Sequence, residues 1–242
     1  SAPIPRVRGV TVVGLIPAAG SAARLQPLRS SKEMIPVRGR PVMDYLVERL
    51  RRAPCDEIRL VTRPDKDDVI EHGRELDLSV ILATPGTPAE SVAAGLVGLA
   101  PGDVVLLGFP DTIWQPSDGF VRLLAELAGD VAAVLGLFRT PELERSDVVS
   151  VDEDRRVTSV EIKPAEPSSQ WIWGCAAARA EALGGVEAAG EIGRHFGALA
   201  SRDVVRGVQL SDTWVDVGTR EALRRALADD RLDRDLEAPV AR

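Results

Sequence analysis

The sequence is poor in cysteine and histidine, and it has no long apolar run. Its 242 residues include two cysteines, Cys55 and Cys175, which lie far apart and form no CxxC pair. We therefore expect two reduced thiols in a cytoplasmic protein. No apolar stretch approaches the ~20 residues that cross a bilayer, which argues against a membrane partner. The chain begins Ser-Ala-Pro-Ile-Pro, which lacks the basic and then apolar layout of a signal peptide.

An excess of basic residues is also absent. The formal net charge is −7, which argues against nucleic-acid binding as the main role of the protein. A small phosphate site needs only a few local cations, so phosphate-bearing substrates stay compatible with this charge. The hydrophobic content of 45% and the charged content of 28% are typical of a globular domain with a sizeable core.

Short apolar runs alternate with amphipathic stretches in the first part of the chain. The predicted strands are Val10–Ile16, Glu57–Thr62, Leu78–Ala83, Val104–Gly108 and Val131–Phe138. The predicted helices are Val42–Arg52, Asp65–Glu75, Ala89–Leu99 and Ser117–Ala128. This alternation predicts an α/β fold with a Rossmann-like, doubly wound and mostly parallel sheet. Ligands of such sheets bind beyond the carboxyl ends of the strands, where the Pro17–Pro36 loop and Asp111 are expected.

The pattern changes after Phe138 and predicts an antiparallel portion, which makes the sheet mixed. We predict a hairpin from Val148–Val151 and Val157–Ile162, and a further strand at Trp171–Ala176. The later elements are a weak helix at Val186–Ser201, short strands at Val208–Leu210 and Trp214-Val215, a closing helix at Thr219–Leu227, and a charged tail at Asp229–Arg242. No linker rich in Gly, Ser or Pro divides the chain, so we expect one domain over residues 1–242.

The loop after the first predicted strand combines small residues with two cations. It contains neither GxxxxGK[ST] nor GxGxxG, and the missing GxGxxG disfavours a nucleotide-dependent dehydrogenase. Backbone N–H groups around Gly20, together with Arg24 and Lys32, suit a polyphosphate. A tight strand-to-helix turn is the alternative interpretation of the small residues alone.

The run PAAGSAARLQP followed by SKEMIPVRGRP resembles the signature of the sugar nucleotidyltransferases, the NDP-sugar pyrophosphorylases. That family joins an NTP to a sugar 1-phosphate and releases pyrophosphate. Further segments match in the family's order, namely TPGTPAES from Thr84, LLGFPD ending at Asp111, VEIKP around Lys163 and WVDVGT from Trp214. The resemblance spans about residues 10–228. It implies a nucleotide-binding half at about 10–140 and a sugar-phosphate-binding half at about 141–228, and a dimer or tetramer would not be unusual for the family.

The resemblance also implies a role for each matched residue. The implied nucleotide-binding residues are Ala18, Ala19, Gly20, Ser21, Arg24, Lys32, Thr84, Gly86, Ala89 and Asp111. The implied sugar-phosphate-binding residues are Glu161, Lys163, Gly174 and Trp214. Asp147 stands about where the family usually has a glycine near the sugar, and we expect it to add a carboxylate at the sugar-binding edge or else to face solvent. The implied catalytic residues are Arg24, Lys32, Asp111, Lys163 and Asp216, of which Asp111 and Asp216 would bind Mg²⁺.

Other interpretations of the same residues stay open. Asp111 could be a turn residue, Asp216 a helix cap and Lys163 a solvated strand end. The enzyme could instead be a cytidylyltransferase for another phosphorylated alcohol, such as phosphocholine or methylerythritol phosphate. It could also be a non-catalytic regulatory homologue that binds an NDP-sugar. A sugar 1-phosphate is mostly ionised at neutral pH and needs no general base, so we expect His72 and His195 to be surface or helix residues.

Overall fold

The computed structural model of the protein describes residues 9–20, 30–211, 213–218 and 220–228. The strands are β1 (Val12–Pro17), β2 (Pro36–Val37), β3 (Arg40–Pro41), β4 (Glu57–Thr62), β5 (Ser79–Leu82), β6 (Val104–Gly108), β7 (Thr112–Trp114), β8 (Val131–Arg139), β9 (Asp147–Val151), β10 (Val157–Ile162), β11 (Trp171–Arg179), β12 (Val204–Ser211) and β13 (Trp214–Asp216). The α-helices are α1 (Met43–Arg52), α2 (Asp67–Glu75), α3 (Pro88–Leu96), α4 (Gly119–Glu126), α5 (Ile192–Ala200) and α6 (Arg220–Ala228).

One mixed sheet organises the fold. Its strand order is β10-β9-β11-β6-β1-β4-β5, and β8 pairs with both β11 and β12. The strands β6, β1, β4 and β5 run parallel to one another, whereas β11 is antiparallel to both β6 and β8. The carboxyl ends of the parallel strands therefore meet at one edge of the sheet, where their loops form a common surface.

Helices cover both faces of the sheet because its strands are apolar on both faces. In β1, Leu15 and Ile16 are both fully buried, and they belong to separate clusters on opposite faces. Ile16 packs in the cluster that contains Leu46 of α1, and Leu15 packs in the one that contains Val92 of α3. A continuous apolar run with alternating faces is typical of a parallel strand buried on both sides. The doubly wound α/β prediction is confirmed.

The predicted boundaries hold well where an apolar run ends at a turn. The bounds of β4, β6 and β10 match the predictions, as does the antiparallel hairpin of β9 and β10. The predicted helix at Val186–Ser201 is wrong in its first part, which is a 3-10 turn at Val186–Ala189. The turn ends at Gly190, whose φ of +71° is incompatible with an α-helix.

Other elements differ in length from the predictions. The short strand predicted at Val208–Leu210 is part of the eight-residue strand β12, which pairs with β8. The strand predicted at Trp171–Ala176 continues to Arg179, because its alanines pair with β6 and β8 on either side. The helix predicted at Ala89–Leu99 ends at Leu96, and the one predicted at Ser117–Ala128 spans Gly119–Glu126. The three-residue β7 was not predicted.

Both cysteines are free. Among the described residues, every helix is too short or too polar to cross a lipid bilayer.

Candidate active site

Two cavities open at the carboxyl edge of the sheet. The first has a volume of about 500 Å³ and is bordered by the loops after β1, β4, β5 and β6. The second, of about 670 Å³, is bordered by residues of β9, β11 and β13 and by the loop before β9. Both cavities have Phe109 and Asp111 among their lining residues. The segment after β6 is therefore the place where the two cavities meet.

An ion pair lies at this meeting point. Lys32 Nζ is 2.7 Å from Asp111 Oδ2, and both side chains are more than four-fifths buried. Burial alone would lower the pKa of Lys32, but the carboxylates of Asp111, Glu33 and Asp216 together raise it above its ordinary value. The lysine therefore stays charged at neutral pH and offers a fixed cation to an anionic ligand of the first cavity.

Asp111 and Asp216 come together through a small sheet. Strand β7 pairs antiparallel with β13, which places Thr112 opposite Asp216. The backbone N–H of Val217 donates to the carbonyl of Asp111 at 2.9 Å. Asp216 Oδ1 accepts a hydrogen bond from the N–H of Gly218 at 2.6 Å, and both aspartates line the second cavity. Two residues that are 105 positions apart are thus neighbours.

These two carboxylates fit a hard cation that also binds substrate phosphates. Mg²⁺ in phosphoryl-transfer sites is typically bound by one or two carboxylates, by phosphates and by water. Within the described part of the chain, no group of three or more Asp, Glu, His or Cys side chains is arranged to hold a metal by itself. Oxygen donors of this kind would suit Mg²⁺ that takes its remaining ligands from substrate phosphates and water.

A buried ion pair supports the loop after β1. Lys66 Nζ donates to both carboxylate oxygens of Glu33, at 2.9 and 3.1 Å, and to the carbonyl of Ala18 at 2.7 Å. Glu33 is fully buried, and its burial raises the pKa of the carboxyl group despite the opposing effect of Lys66 and Lys32. The ammonium group of Lys66 therefore holds both Glu33, the residue next to Lys32, and the backbone at Ala18, where the loop begins.

The start of α3 forms one wall of the first cavity. Thr87 Oγ1 accepts a hydrogen bond from the N–H of Glu90 at 3.1 Å, and Glu90 Oε2 accepts one from the N–H of Gly86 at 2.7 Å. This arrangement resembles a capping box, except that the Glu90 carboxylate accepts from the N–H of Gly86, the residue before the N-cap Thr87, and not from Thr87 itself. It fixes the backbone at Gly86, which lines the cavity.

We expect the Thr87→Ala substitution to lower the free energy of unfolding by about 1 kcal/mol, because it removes the side-chain cap of α3. Thr87→Ser keeps the hydroxyl group and is the matched control, with an expected change of only a few tenths of a kcal/mol. Urea unfolding of the three proteins measures the difference. Equal stability of wild type and Thr87→Ala would show that the cap contributes nothing.

The second cavity brings a cation and several polar groups together. Lys163 follows β10 with a φ of +46°, a left-handed conformation that few non-glycine residues adopt. Its Nζ lies 2.8 Å from Glu191 Oε1, and its side chain is about half exposed. Asp147, Gly174 and Trp214 line the same cavity.

The structure places the predicted residues in three groups. The residues that line one or both cavities are Ala19, Gly20, Lys32, Gly86, Asp111, Asp147, Lys163, Gly174, Trp214 and Asp216. The residues that line neither cavity are Ala18, Thr84, Ala89 and Glu161. Ala18 and Ala89 are buried in the core, and Glu161 accepts a hydrogen bond from the N–H of Ser168. Ser21 and Arg24 lie outside the described residues. Neither His72 nor His195 lines either of these two cavities, and both lie on helices.

Sequence reasoning missed several polar residues of the site. Arg63 lines the first cavity directly after β4, and the strand-end rule could have identified it as it identified Asp111. Ser91 lines the same cavity, and its buried hydroxyl has no hydrogen-bond partner among the described residues. Nothing local in the sequence indicates the pairing of Glu33 with Lys66.

The known proteins to which this chain is similar include several nucleotidyltransferases. The family profile of the MobA-like NTP transferase domain matches residues 14–231. The glucose-1-phosphate thymidylyltransferase of Neisseria gonorrhoeae is 27% identical over 239 residues, which cover 88% of this chain and 80% of that protein. The low-salt glycan biosynthesis nucleotidyltransferase Agl11 of Haloferax volcanii is 28% identical over 165 residues, which cover 64% of this chain and 45% of that protein.

Solved structures share the fold at lower sequence identity. A Bacillus anthracis protein described as a glucose-1-phosphate thymidylyltransferase, in complex with sucrose, superposes with a TM-score of 0.80 at 22% identity, covering 95% of this chain and 98% of that one. The UTP-bound UGPase of Acinetobacter baumannii gives a TM-score of 0.73 at 19% identity, covering 90% and 92%. These likenesses extend over nearly the whole of each chain.

Proposed function

We propose, from the premise that this chain belongs to the MobA-like NTP transferase family, that it joins an NTP to a sugar 1-phosphate and releases pyrophosphate. The observation that carries the proposal is the meeting of two cavities at Asp111, with Lys32 and Asp216 beside it. A two-substrate phosphoryl transfer needs adjoining places for two anions and cations between them. Relatives named glucose-1-phosphate thymidylyltransferase, and a structural neighbour that binds UTP, support this substrate pair.

The proposed reaction is an in-line displacement. An oxygen of the sugar 1-phosphate attacks the α-phosphorus of the NTP, the bond to the β-phosphate oxygen breaks, and pyrophosphate leaves. The attacking phosphate is already mostly ionised at neutral pH, so no side chain has to remove a proton. The protein has to position both phosphates and reduce their mutual repulsion, which is about 4 kcal/mol for two unit charges at ~4 Å near a protein surface.

The residues of the two cavities divide these tasks between them. Lys32, together with Arg24, contacts the triphosphate, and Lys163 holds the phosphate of the sugar. Asp111 and Asp216 would hold Mg²⁺, which supplies charge neutralisation between the phosphates when it is bound. Asp111 also keeps Lys32 in place through their 2.7 Å contact.

Pyrophosphate release tests the proposal. The purified chain is incubated with Mg²⁺ and each pair from a panel of NTPs and sugar 1-phosphates, and phosphocholine and methylerythritol phosphate serve as alternative acceptors. We expect release that requires both substrates and that is fastest with a hexose 1-phosphate. Release with the phosphorylated alcohols alone would favour the cytidylyltransferase alternative. Tight binding of an NDP-sugar without turnover of any pair would favour the non-catalytic homologue.

We expect Lys163→Gln to reduce kcat/KM for the sugar 1-phosphate by about 10- to 100-fold, because one charge-assisted contact to the phosphate is lost. The KM for the NTP should change little, since Lys163 lines only the second cavity. Arg202→Gln is the matched control, because Arg202 is an exposed cation that pairs with Asp203 and lines neither of the two cavities. Steady-state kinetics with each substrate varied in turn give both values. An unchanged kcat/KM for the sugar phosphate would remove Lys163 from the site.

A further inference from the structure

The wall of the second cavity contains a carboxylate whose hydrogen bonding is incomplete. Asp147 begins β9, and its Oδ2 accepts a long hydrogen bond of 3.4 Å from Trp173 Nε1. Its Oδ1 is buried and has no partner among the described residues. Burial raises the pKa of this carboxyl group above its ordinary value. A buried acceptor without a partner is costly in a folded protein and calls for an explanation.

The surroundings of Asp147 are built to hold the carboxylate in place. A Cβ atom at Gly193 would lie 2.2 Å from Asp147 Oδ2, so any side chain at this position would displace the carboxylate. Trp173, which donates to Asp147, packs edge-on between Phe109 and Phe196, with ring centroids 5.3 and 5.1 Å away. The hydrogen-bond donor and the space for the carboxylate are therefore both fixed by packed groups.

The same cavity also presents a donor without a partner. Trp214 lines the cavity, and its indole Nε1 is buried without a hydrogen-bond partner among the described residues. The indole approaches Gly174 so closely that a Cβ atom there would lie 2.6 Å from Nε1. A ligand with hydroxyl groups can donate to Asp147 and accept from Trp214, because each hydroxyl is both a donor and an acceptor.

We propose that Asp147 is a specificity-determining residue, whose free Oδ1 accepts a hydrogen bond from a ring hydroxyl of the sugar 1-phosphate, with Trp214 Nε1 donating to a sugar oxygen. This inference rests on the proposed function and names the feature of the substrate that the site selects. It favours hydroxylated sugar phosphates over deoxy analogues.

Binding of sugar phosphates to the full chain tests the inference without requiring turnover. Calorimetric titrations compare glucose 1-phosphate with its 2-, 3-, 4- and 6-deoxy analogues, for wild type, Asp147→Ala and Asp147→Asn. Wild type should bind one of the deoxy analogues about 10- to 100-fold more weakly than the parent. Asp147→Ala should bind the parent more weakly by a similar factor and should not discriminate against that analogue. Asp147→Asn keeps the shape of the side chain and should show a smaller loss in the same direction.

Two controls separate this role from a change of charge or of fold. Glu144→Gln removes an exposed carboxylate from the same cavity, and it should change the affinity for parent and analogues by one common factor. The thermal midpoint of Asp147→Ala should change little, because the substitution removes a buried oxygen without a partner together with the long hydrogen bond from Trp173. A merely structural role would lower the midpoint and leave the discrimination intact.

The outcomes distinguish the inference from the proposed function. If wild type turns over NTP and sugar 1-phosphate but Asp147→Ala discriminates among the analogues as wild type does, the inference is overturned and the function stands. If wild type neither binds a sugar phosphate nor releases pyrophosphate, both are overturned. The inference is supported if Asp147→Ala loses the discrimination among the analogues while wild type and Glu144→Gln keep it.

Discussion

Asp111→Asn and Asp216→Asn should each lower kcat by about a thousandfold, which corresponds to about 4 kcal/mol of transition-state stabilisation. Each substitution removes one of the two carboxylates proposed to hold Mg²⁺ where the cavities meet. The effect of Asp111→Asn should be the larger, because Asp111 is also the 2.7 Å partner of Lys32. Without that charge the pKa of Lys32 falls, since Asp111 is the strongest influence raising it against burial.

The measurement is kcat at saturating substrates over a range of Mg²⁺ concentrations. Both variants should need more Mg²⁺ than wild type and should keep the circular dichroism spectrum of the folded protein. Asp118→Asn is the matched control, because Asp118 is a half-exposed aspartate that pairs with Arg122 and lines neither cavity. Rates close to wild type in both site variants would show that neither carboxylate takes part in catalysis.

Lys66→Met should lower the free energy of unfolding by about 3–5 kcal/mol, the cost that follows when one partner of a buried ion pair is removed. Glu33 is fully buried and would lose the ammonium group that donates to both of its oxygens. The Glu33→Gln/Lys66→Met double variant removes both charges, and it should recover most of the lost stability. Denaturant unfolding of wild type, both single variants and the double variant completes the cycle.

The decrease in the free energy of unfolding caused by Lys66→Met should be larger at high pH than at low pH. The pKa of Glu33 is raised in the folded protein because burial disfavours the charged form, and the loss of Lys66 raises it further. A carboxyl group whose pKa is higher in the folded than in the unfolded protein destabilises the fold at pH values above its unfolded pKa. As the pH falls through the folded pKa, the group becomes protonated in the folded protein and this destabilisation disappears. The destabilisation should therefore be larger at pH 8 than at pH 5. A loss that is equal at both values would contradict the account of Glu33.

The strand ends of the site could be predicted because they follow from local pattern and general topology. The apolar run Val104–Gly108 ends at a Pro-Asp turn, and carboxyl ends of parallel strands meet at one edge. This reasoning placed Asp111 beside the loop after β1. The resemblance added Asp216, and the register of β13 against β7 accounts for its closeness to Asp111.

Other features could not be predicted because they depend on partners that are distant in sequence. Strand β7 has three residues and pairs with β13, about 100 positions later. Strand β11 lies between β6 and β8 and is antiparallel to both, although it comes more than 30 residues after β8 begins in the sequence. Glu33 and Lys66 look like solvated charges in the sequence, and only their mutual burial makes them structural.

The most direct test of the account follows the α-phosphate of the NTP. The chain is incubated with Mg²⁺, a sugar 1-phosphate and an NTP that is labelled in its α-phosphate, and the products are separated. We expect the label to appear in an NDP-sugar, with one unlabelled pyrophosphate released for each NDP-sugar formed. Label recovered as free nucleotide, or pyrophosphate released at the same rate without sugar phosphate, would contradict it.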